Sequence, residues 1–146
     1  MTTAVSAPTL VRCLYVSRRV DEATDPRHID EILQASRARN AHCDITGGLI
    51  YTGEFFFQVL EGPAAATAQV MQSINADRRH SHVTPLIFET TKERRFDRWA
   101  MGYADLPSAV ALIEPLFKAP DDEHAHHAMA VLLHALQQGV AQRHAF

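Results

Sequence analysis

The alternation of apolar and polar positions predicts strands and helices in regular succession along most of the chain. Residues 10 to 17, Leu-Val-Arg-Cys-Leu-Tyr-Val-Ser, are apolar and β-branched enough for a strand. Asp25-Pro26 then opens a helix, with an Asp N-cap and a proline in the first turn. Its apolar positions, Ile29, Ile32 and Leu33, lie on a face that continues through Ser36 to Asn40. Ile45 to Thr52 and Glu54 to Glu61 read as two strands, and the Thr52-Gly53 turn between them is short enough for a hairpin. Gly62-Pro63 ends the hairpin and opens a second helix. Thr67, Val70, Met71 and Ile74 lie on one side of it, and Asp77 follows on the same side. Val83 to Thr91 and Trp99 to Ala104 read as two further strands.

This order, β-α-β-β-α-β-β, is close to the split βαβ ferredoxin-like pattern. From Pro107 onward the chain reads as two helices, Ser108 to Phe117 and Asp122 to Gln142, broken at Pro120 and with Asp121 capping the second. Met129, Leu132, Leu133, Leu136 and Val140 form an apolar stripe that must be buried. Phe55-Phe56-Phe57 and Val59-Leu60 are apolar on both faces of the pleat, and a strand of that kind needs cover on both sides. The expected fold class is therefore α+β: a ferredoxin-like sheet with the first two helices on one face and the two C-terminal helices on the other. Residues 10–106 form the sheet domain, and residues 107–146 a helical extension packed on it.

Charge and cysteine usage narrow the partners. A net charge of −3 lacks the basic excess that phosphate backbones attract, which argues against nucleic acid, and gives no pull toward an anionic membrane. The first ten residues lack a basic segment followed by an apolar one, and no apolar run approaches the ~20 residues of a membrane span. Cys13 and Cys43 are far apart and outside any CxxC pattern, so two free thiols in a cytoplasmic protein are expected.

Four polar residues break the apolar pattern where the core is expected. Gln58 interrupts the central strand, Asn40 ends the stripe of the first helix, Asp77 ends that of the second, and Tyr15 sits mid-strand with a hydroxyl to satisfy. An unpartnered buried polar group costs ~1–3 kcal/mol, so each needs a reason. All four could point into the gap between the two helices and the sheet. With Ile32 and Ile74 as apolar walls, that gap has the make-up of a small-molecule pocket. Each also has a plainer reading: an edge glutamine, a helix C-cap asparagine, a surface aspartate beside Arg78 and Arg79, and a core tyrosine with its hydroxyl at the rim.

A set of separated strings weighs between these readings. They are Leu14-Tyr15-Val16-Ser17, Ser36-Arg37-Ala38-Arg39-Asn40, Ile45-Thr46-Gly47, Phe57-Gln58-Val59-Leu60-Glu61-Gly62-Pro63, Asp77-Arg78-Arg79-His80 and Arg95-Phe96-Asp97-Arg98-Trp99-Ala100-Met101-Gly102. In order and spacing they resemble the BLUF family, the sensors of blue light using FAD, over about residues 10 to 106. The resemblance implies a flavin ring between the first two helices. Tyr15 would hydrogen-bond Gln58, Gln58 would contact the ring at N5 and O4, and Asn40 would hold the O4 edge. Asp77, Arg79 and His80 would line the opposite edge, and Ile32, Ser36 and Ile74 would complete the binding set. Three positions depart from the pattern: Gly53 near the hairpin turn, Arg39 where many relatives carry Asn or His, and the Val20–Thr24 loop, a residue longer than in some relatives.

The implied function is photosensory, without turnover. Light would make the flavin a strong oxidant, Tyr15 would lose an electron and then a proton, and Gln58 would relay the proton and end with a changed hydrogen-bond pattern, by rotation or tautomerisation. An amide suits this step because it can present a donor or an acceptor at one point. As a strand, 99–104 places Trp99 and Met101 on one face, and the resemblance implies that one of them approaches Gln58. The chain carries no recognisable output enzyme, so its signal is expected to leave through a downstream signalling protein, a second copy of the chain, or both. Other readings are a nucleophile–base pair in His42-Cys43-Asp44, a metal site at His124, His126 and His127, and a colourless ferredoxin-like hydrolase or ligand-binding domain. No metal is expected. The dinucleotide half of FAD has no motif here and rests on the resemblance alone.

Overall fold

A computed structural model describes residues 9–20 and 26–138. The expected N-cap Asp25, most of the Val20–Thr24 loop, the last stripe position Val140 and the end of the tail helix at Gln142 lie outside the described residues. The chain runs β1 (Leu10–Arg19), α1 (Pro26–His42), β2 (Thr46–Tyr51), β3 (Phe55–Pro63), α2 (Ala64–Ala76), β4 (His80–Thr91) and β5 (Gly102–Asp105). A single 3-10 turn (Pro107–Ala109), α3 (Val110–Lys118) and α4 (Asp122–Gln138) follow. The strands form one sheet in the order β4-β1-β3-β2-β5, with β5 parallel to β2 and every other neighbour antiparallel. The α+β, ferredoxin-like expectation holds, with β5 added at one edge.

The doubly apolar strand β3 takes the centre, and all of its residues except Pro63 are buried. Its pleat sorts the side chains. Phe55, Phe57 and Val59 join Ile113, Leu116, Met129, Leu132 and Leu136 of the tail helices in one core. Phe56 and Leu60 join Ile29 and Leu33 of α1 and Val70 and Ile74 of α2 in a second. The edge strand β4 carries Pro85, whose missing N–H is tolerated at an edge, and the ladder to β1 slips a register opposite it, between Leu14 and Tyr15. Asp121 caps α4 by accepting the backbone N–H of His124 at 2.8 Å.

Two boundaries differ from expectation. β4 begins at His80, three residues early, because Arg19 and Arg18 of the long β1 pair with His80 and Ser81. β5 begins at Gly102, not Trp99. The carbonyls just before it are taken by other groups: that of Trp99 by the Gly47 N–H at 3.0 Å, that of Ala100 by Asn40 Nδ2 at 2.8 Å, and that of Met101 by Arg37 Nε at 2.9 Å. Without a ladder the alternation lapses. Trp99 and Met101 therefore do not share a face: Trp99 packs in the core beneath the tail helices, and Met101 in the core beneath α1 and α2.

Candidate functional site

The gap between α1, α2 and the sheet is a cleft of about 490 Å³, within the roughly 300–1,000 Å³ common for small-molecule sites. Its floor comes from three neighbouring strands in register, where Tyr15 of β1 lies opposite Gln58 of β3 and Gln58 opposite Leu49 of β2. Phe56, two residues before Gln58, faces the same way. Ile32, Ala35, Ser36 and Arg39 of α1 form one wall; Ser73, Ile74 and Ala76 of α2 form the other; Asp77, Arg79 and His80 close the end.

The centre of the floor is a short hydrogen-bond chain. The Tyr15 hydroxyl donates to Gln58 Oε1, and Gln58 Nε2 donates to Met101 Sδ at 3.5 Å. The direction follows from chemistry: a thioether sulfur can only accept, so the amide nitrogen faces Met101 and the amide oxygen is left to take the Tyr15 proton. Tyr15 and Gln58 are both buried. Burial raises the Tyr15 pKa above the usual tyrosine value; the nearby positive charge of Arg39 pulls it back and the negative charge of Asp77 adds to the rise. The phenol is therefore a neutral donor at physiological pH.

The end of the cleft is held from within. His80 Nε2 lies 2.6 Å from the carbonyl oxygen of Ile74, so this nitrogen must donate, and in the neutral ring Nδ1 then accepts from Ser17 Oγ at 2.7 Å. Its ring meets those of Tyr15 and Phe56 edge-on. The Arg79 guanidinium grips Asp77 through Nε at 3.0 and 3.1 Å and Nη2 at 2.6 Å, and its backbone N–H adds a bond at 2.9 Å. These bonds from Arg79 hold the Asp77 carboxyl below its ordinary pKa despite partial burial.

Of the residues expected to bind, Tyr15, Ile32, Ser36, Gln58, Ile74, Asp77, Arg79 and His80 meet on the cleft. Asn40 does not line it. It is fully buried inside α1, and its amide is occupied by the Ala100 carbonyl and by Arg39, whose Nε and Nη2 each lie 3.2 Å from Asn40 Oδ1. Met101, not Trp99, reaches Gln58. Arg39, Leu49 and Phe56 were not in the expected binding set. A signal existed for two of them: Arg39 continues the stripe seven residues after Ile32, and Phe56 shares the strand parity of Gln58.

The competing clusters do not assemble into sites. Cys43 is half-buried beside the exposed His42, and Asp44 pairs with Arg94 at 3.1 Å. His124 bonds Asp121, and His126 bonds Glu89 at 3.0 Å. Among the described residues, no three His, Cys, Asp or Glu side chains stand together so as to hold a metal ion. No described helix is long and apolar enough to cross a membrane.

The donor set of the cleft fits a planar, partly polar ring system. Apolar walls flank it, an amide and a phenol lie on its floor, and a guanidinium and an imidazole stand at one end. Comparison with known proteins points the same way. The family model described as sensors of blue light using FAD matches residues 10–102. The blue light- and temperature-regulated antirepressor BluF of Escherichia coli (strain K12) is 34% identical over 80 residues, 55% of this chain and 20% of that protein. The photoactivated adenylate cyclase subunit beta of Euglena gracilis is 30% identical over 103 residues, 70% of this chain and 12% of that protein. The chain thus spans a fifth or less of these relatives' own lengths. Among solved structures, dark-state BlrB, a BLUF protein, superposes with a TM-score of 0.69 at 34% identity over 85% of this chain and 97% of its own. Photo-activated BlsA superposes with a TM-score of 0.75 at 26% identity, over 85% of this chain and 94% of its own.

Proposed function

Because the chain belongs to the family of sensors of blue light using FAD, we propose that it is a blue-light receptor whose cleft takes the FAD ring non-covalently and whose Tyr15–Gln58 pair converts absorption into a changed hydrogen-bond pattern. The observation that carries this reading is the Tyr15–Gln58–Met101 chain on the cleft floor. When bound, the flavin supplies light absorption and oxidising power. Ile32 and Ile74 would sandwich its ring. Gln58 and Ser36 would serve one edge, with Asn40 behind them holding Arg39 in place, and Asp77, Arg79 and His80 the other.

Tyr15 is the electron and proton source in this account. Its hydroxyl proton faces one acceptor, Gln58 Oε1, so a proton leaving Tyr15 passes to that amide. As the charges recombine, the electron and a proton would return to Tyr15, and Gln58 would no longer be bound to keep Nε2 on a weak sulfur acceptor. Rotation or tautomerisation leaves Met101 with a different partner, a local change that can bias a two-state element.

The output side begins at the next residue. Gly102 pairs with Gly48 across β5 and β2, and Leu136 of α4 nests in the notch they form. A Cβ atom on either glycine would stand 2.7–2.8 Å from Leu136 Cδ1, and one on Gly102 would also stand 3.2 Å from Trp99 Cγ. A shift of Met101 thus pulls on the seat of α4. On this reading residues 10–106 are the flavin-binding domain, 107–146 are the extension through which the state is read, and the reader is another protein or a second copy of the chain.

The test is reconstitution with FAD, followed by spectra and light-dependent size measurement on wild type and Leu133→Asp. Leu133 lies half-buried against the tail-side core. Wild type should become yellow and change its assembly or partner binding in blue light. Leu133→Asp should keep the colour and lose that change. A chain that takes up no FAD refutes the receptor, and a variant with the wild-type light response in assembly or binding refutes the tail as output.

A further inference from the structure

The arginines at the cleft differ in how their charge is met. Arg79 is gripped by Asp77. Away from the cleft, Arg12 meets Glu61 and Glu89, and Arg94 meets Asp44. Arg39 has no carboxylate partner among the described residues. Among the described residues its guanidinium donates only to the neutral amide oxygen of Asn40, through Nε and Nη2 at 3.2 Å each, while it lines the cleft. It is half-buried, and that burial depresses its pKa. A partly desolvated cation held in no direct ion pair is stabilised when negative charge lies beside it.

We infer that Arg39 is the counter-charge for the flavin ring in its reduced form, so that it raises the reduction potential of the bound cofactor. The inference rests on the flavin reading above. Three observations put Arg39 beside the space that the ring would take. Arg39 stands on the same wall as Ile32 and Ser36, within electrostatic reach of Tyr15, and in contact with Asn40 beside the Gln58–Met101 end of the floor. Reduction puts negative charge on the ring, and a half-buried cation beside it stabilises that state more than the neutral oxidised one. The same charge opposes a positive charge on Tyr15 and favours release of its proton, so electron and proton are driven to leave together. Asp77 faces the same space with opposite sign and its charge reaches Arg39, but its carboxylate is engaged directly by Arg79.

The experiment is the midpoint potential of FAD bound to wild type, Arg39→Gln and Arg39→Lys, measured by equilibration with a reference dye. Glutamine and lysine can both still donate to Asn40, so a hydrogen-bonding role survives both changes, whereas the charge survives only in lysine. Arg39→Gln should lose about tenfold in the preference for reduced over oxidised FAD, which is ~30 mV for a two-electron couple, and Arg39→Lys should recover most of it. Equal potentials in wild type and Arg39→Gln, or an equal loss in both variants, overturn the inference while leaving the receptor intact. So does a loss of affinity for FAD, but not riboflavin, at unchanged potential, which would place Arg39 on the phosphates. A wild-type chain that takes up no flavin overturns the receptor and this inference together.

Discussion

The two faces of the sheet are built from the same strands and solve opposite problems. On the tail side, the sheet and the helices pack directly against each other. Leu136 fills the Gly48–Gly102 notch, and the buried Glu61 accepts from Arg12 Nε at 2.7 Å and from the backbone N–H groups of Arg95 and Phe96 at 3.0 and 2.6 Å. Arg12 goes on to Glu89 at 2.7 Å, and Glu89 to His126 of α4. On the side of α1 and α2, small residues such as Ala35, Ser73 and Ala76 leave the cleft open, and on its floor Tyr15 and Gln58 are linked by one bond and Gln58 to Met101 by one more. Alternate residues of β3 serve each side, so one strand can carry a rigid joint and a rearrangeable site back to back. The contrast teaches where stability and function reside in this chain, and substitutions can separate them.

The largest effect should come from the tail-side ion network. Glu61→Gln removes a fully buried carboxylate from a nearly buried guanidinium, and breaking such a pair costs about 3–5 kcal/mol. Tyr15→Phe on the opposite face removes one neutral bond, about 0.5–1.5 kcal/mol. Urea unfolding of both variants measures the gap, and equal losses would erase the contrast.

Next comes the glycine notch. Leu136→Ala should cost about 2–5 kcal/mol, and Gly48→Ala about 1–3 kcal/mol by overpacking, because its Cβ would meet Leu136 Cδ1 at 2.7 Å and Phe96 at 3.3 Å. The double variant should cost clearly less than the sum of the two, since each change makes room for the other. Simple additivity in a double-mutant cycle would show that Leu136 does not occupy the notch.

The smallest effect concerns pH. The pKa of His126 is raised above its ordinary value by the Asp122 carbonyl and by Glu89. Its stabilisation is therefore complete below about pH 6.5, the unfolded value, and is lost as pH rises through the folded value. Burial raises the pKa of Glu89, but bonds from His126 and Arg12 outweigh it, so its share is lost only on acidification. His126 is partly exposed, which limits its contribution to about 0.2–1 kcal/mol. Melting temperatures from pH 5 to 8.5 should fall more in wild type than in His126→Gln; parallel curves would remove the histidine from the joint.

Much of this arrangement was legible in the residues alone. The parity of Phe55-Phe56-Phe57-Gln58 required cover on both faces, and the convergence of Tyr15, Gln58 and Asp77 toward a gap under two helices followed from the helical and strand periods. What escaped was set by tertiary bonds that no period encodes. Trp99 and Met101 have strand spacing, but two side chains of α1 and the backbone N–H of Gly47 near the start of β2 claim the carbonyls of residues 99–101, and the two side chains go to opposite faces. Asn40 was expected on the cleft because it lies four residues after Ser36. It is instead buried on Ala100, and Arg39 reaches the cleft, as the seven-residue spacing from Ile32 would place it.

The central claim is that Tyr15 and Gln58 form the light-responsive pair, and the light-minus-dark absorption spectrum of Tyr15→Phe beside wild type tests it most directly. Wild type reconstituted with FAD should show its main bands moved slightly to the red after blue light and returning in darkness, while Tyr15→Phe should bind flavin and show no shift. A reversible red shift of wild-type size in Tyr15→Phe would contradict the account.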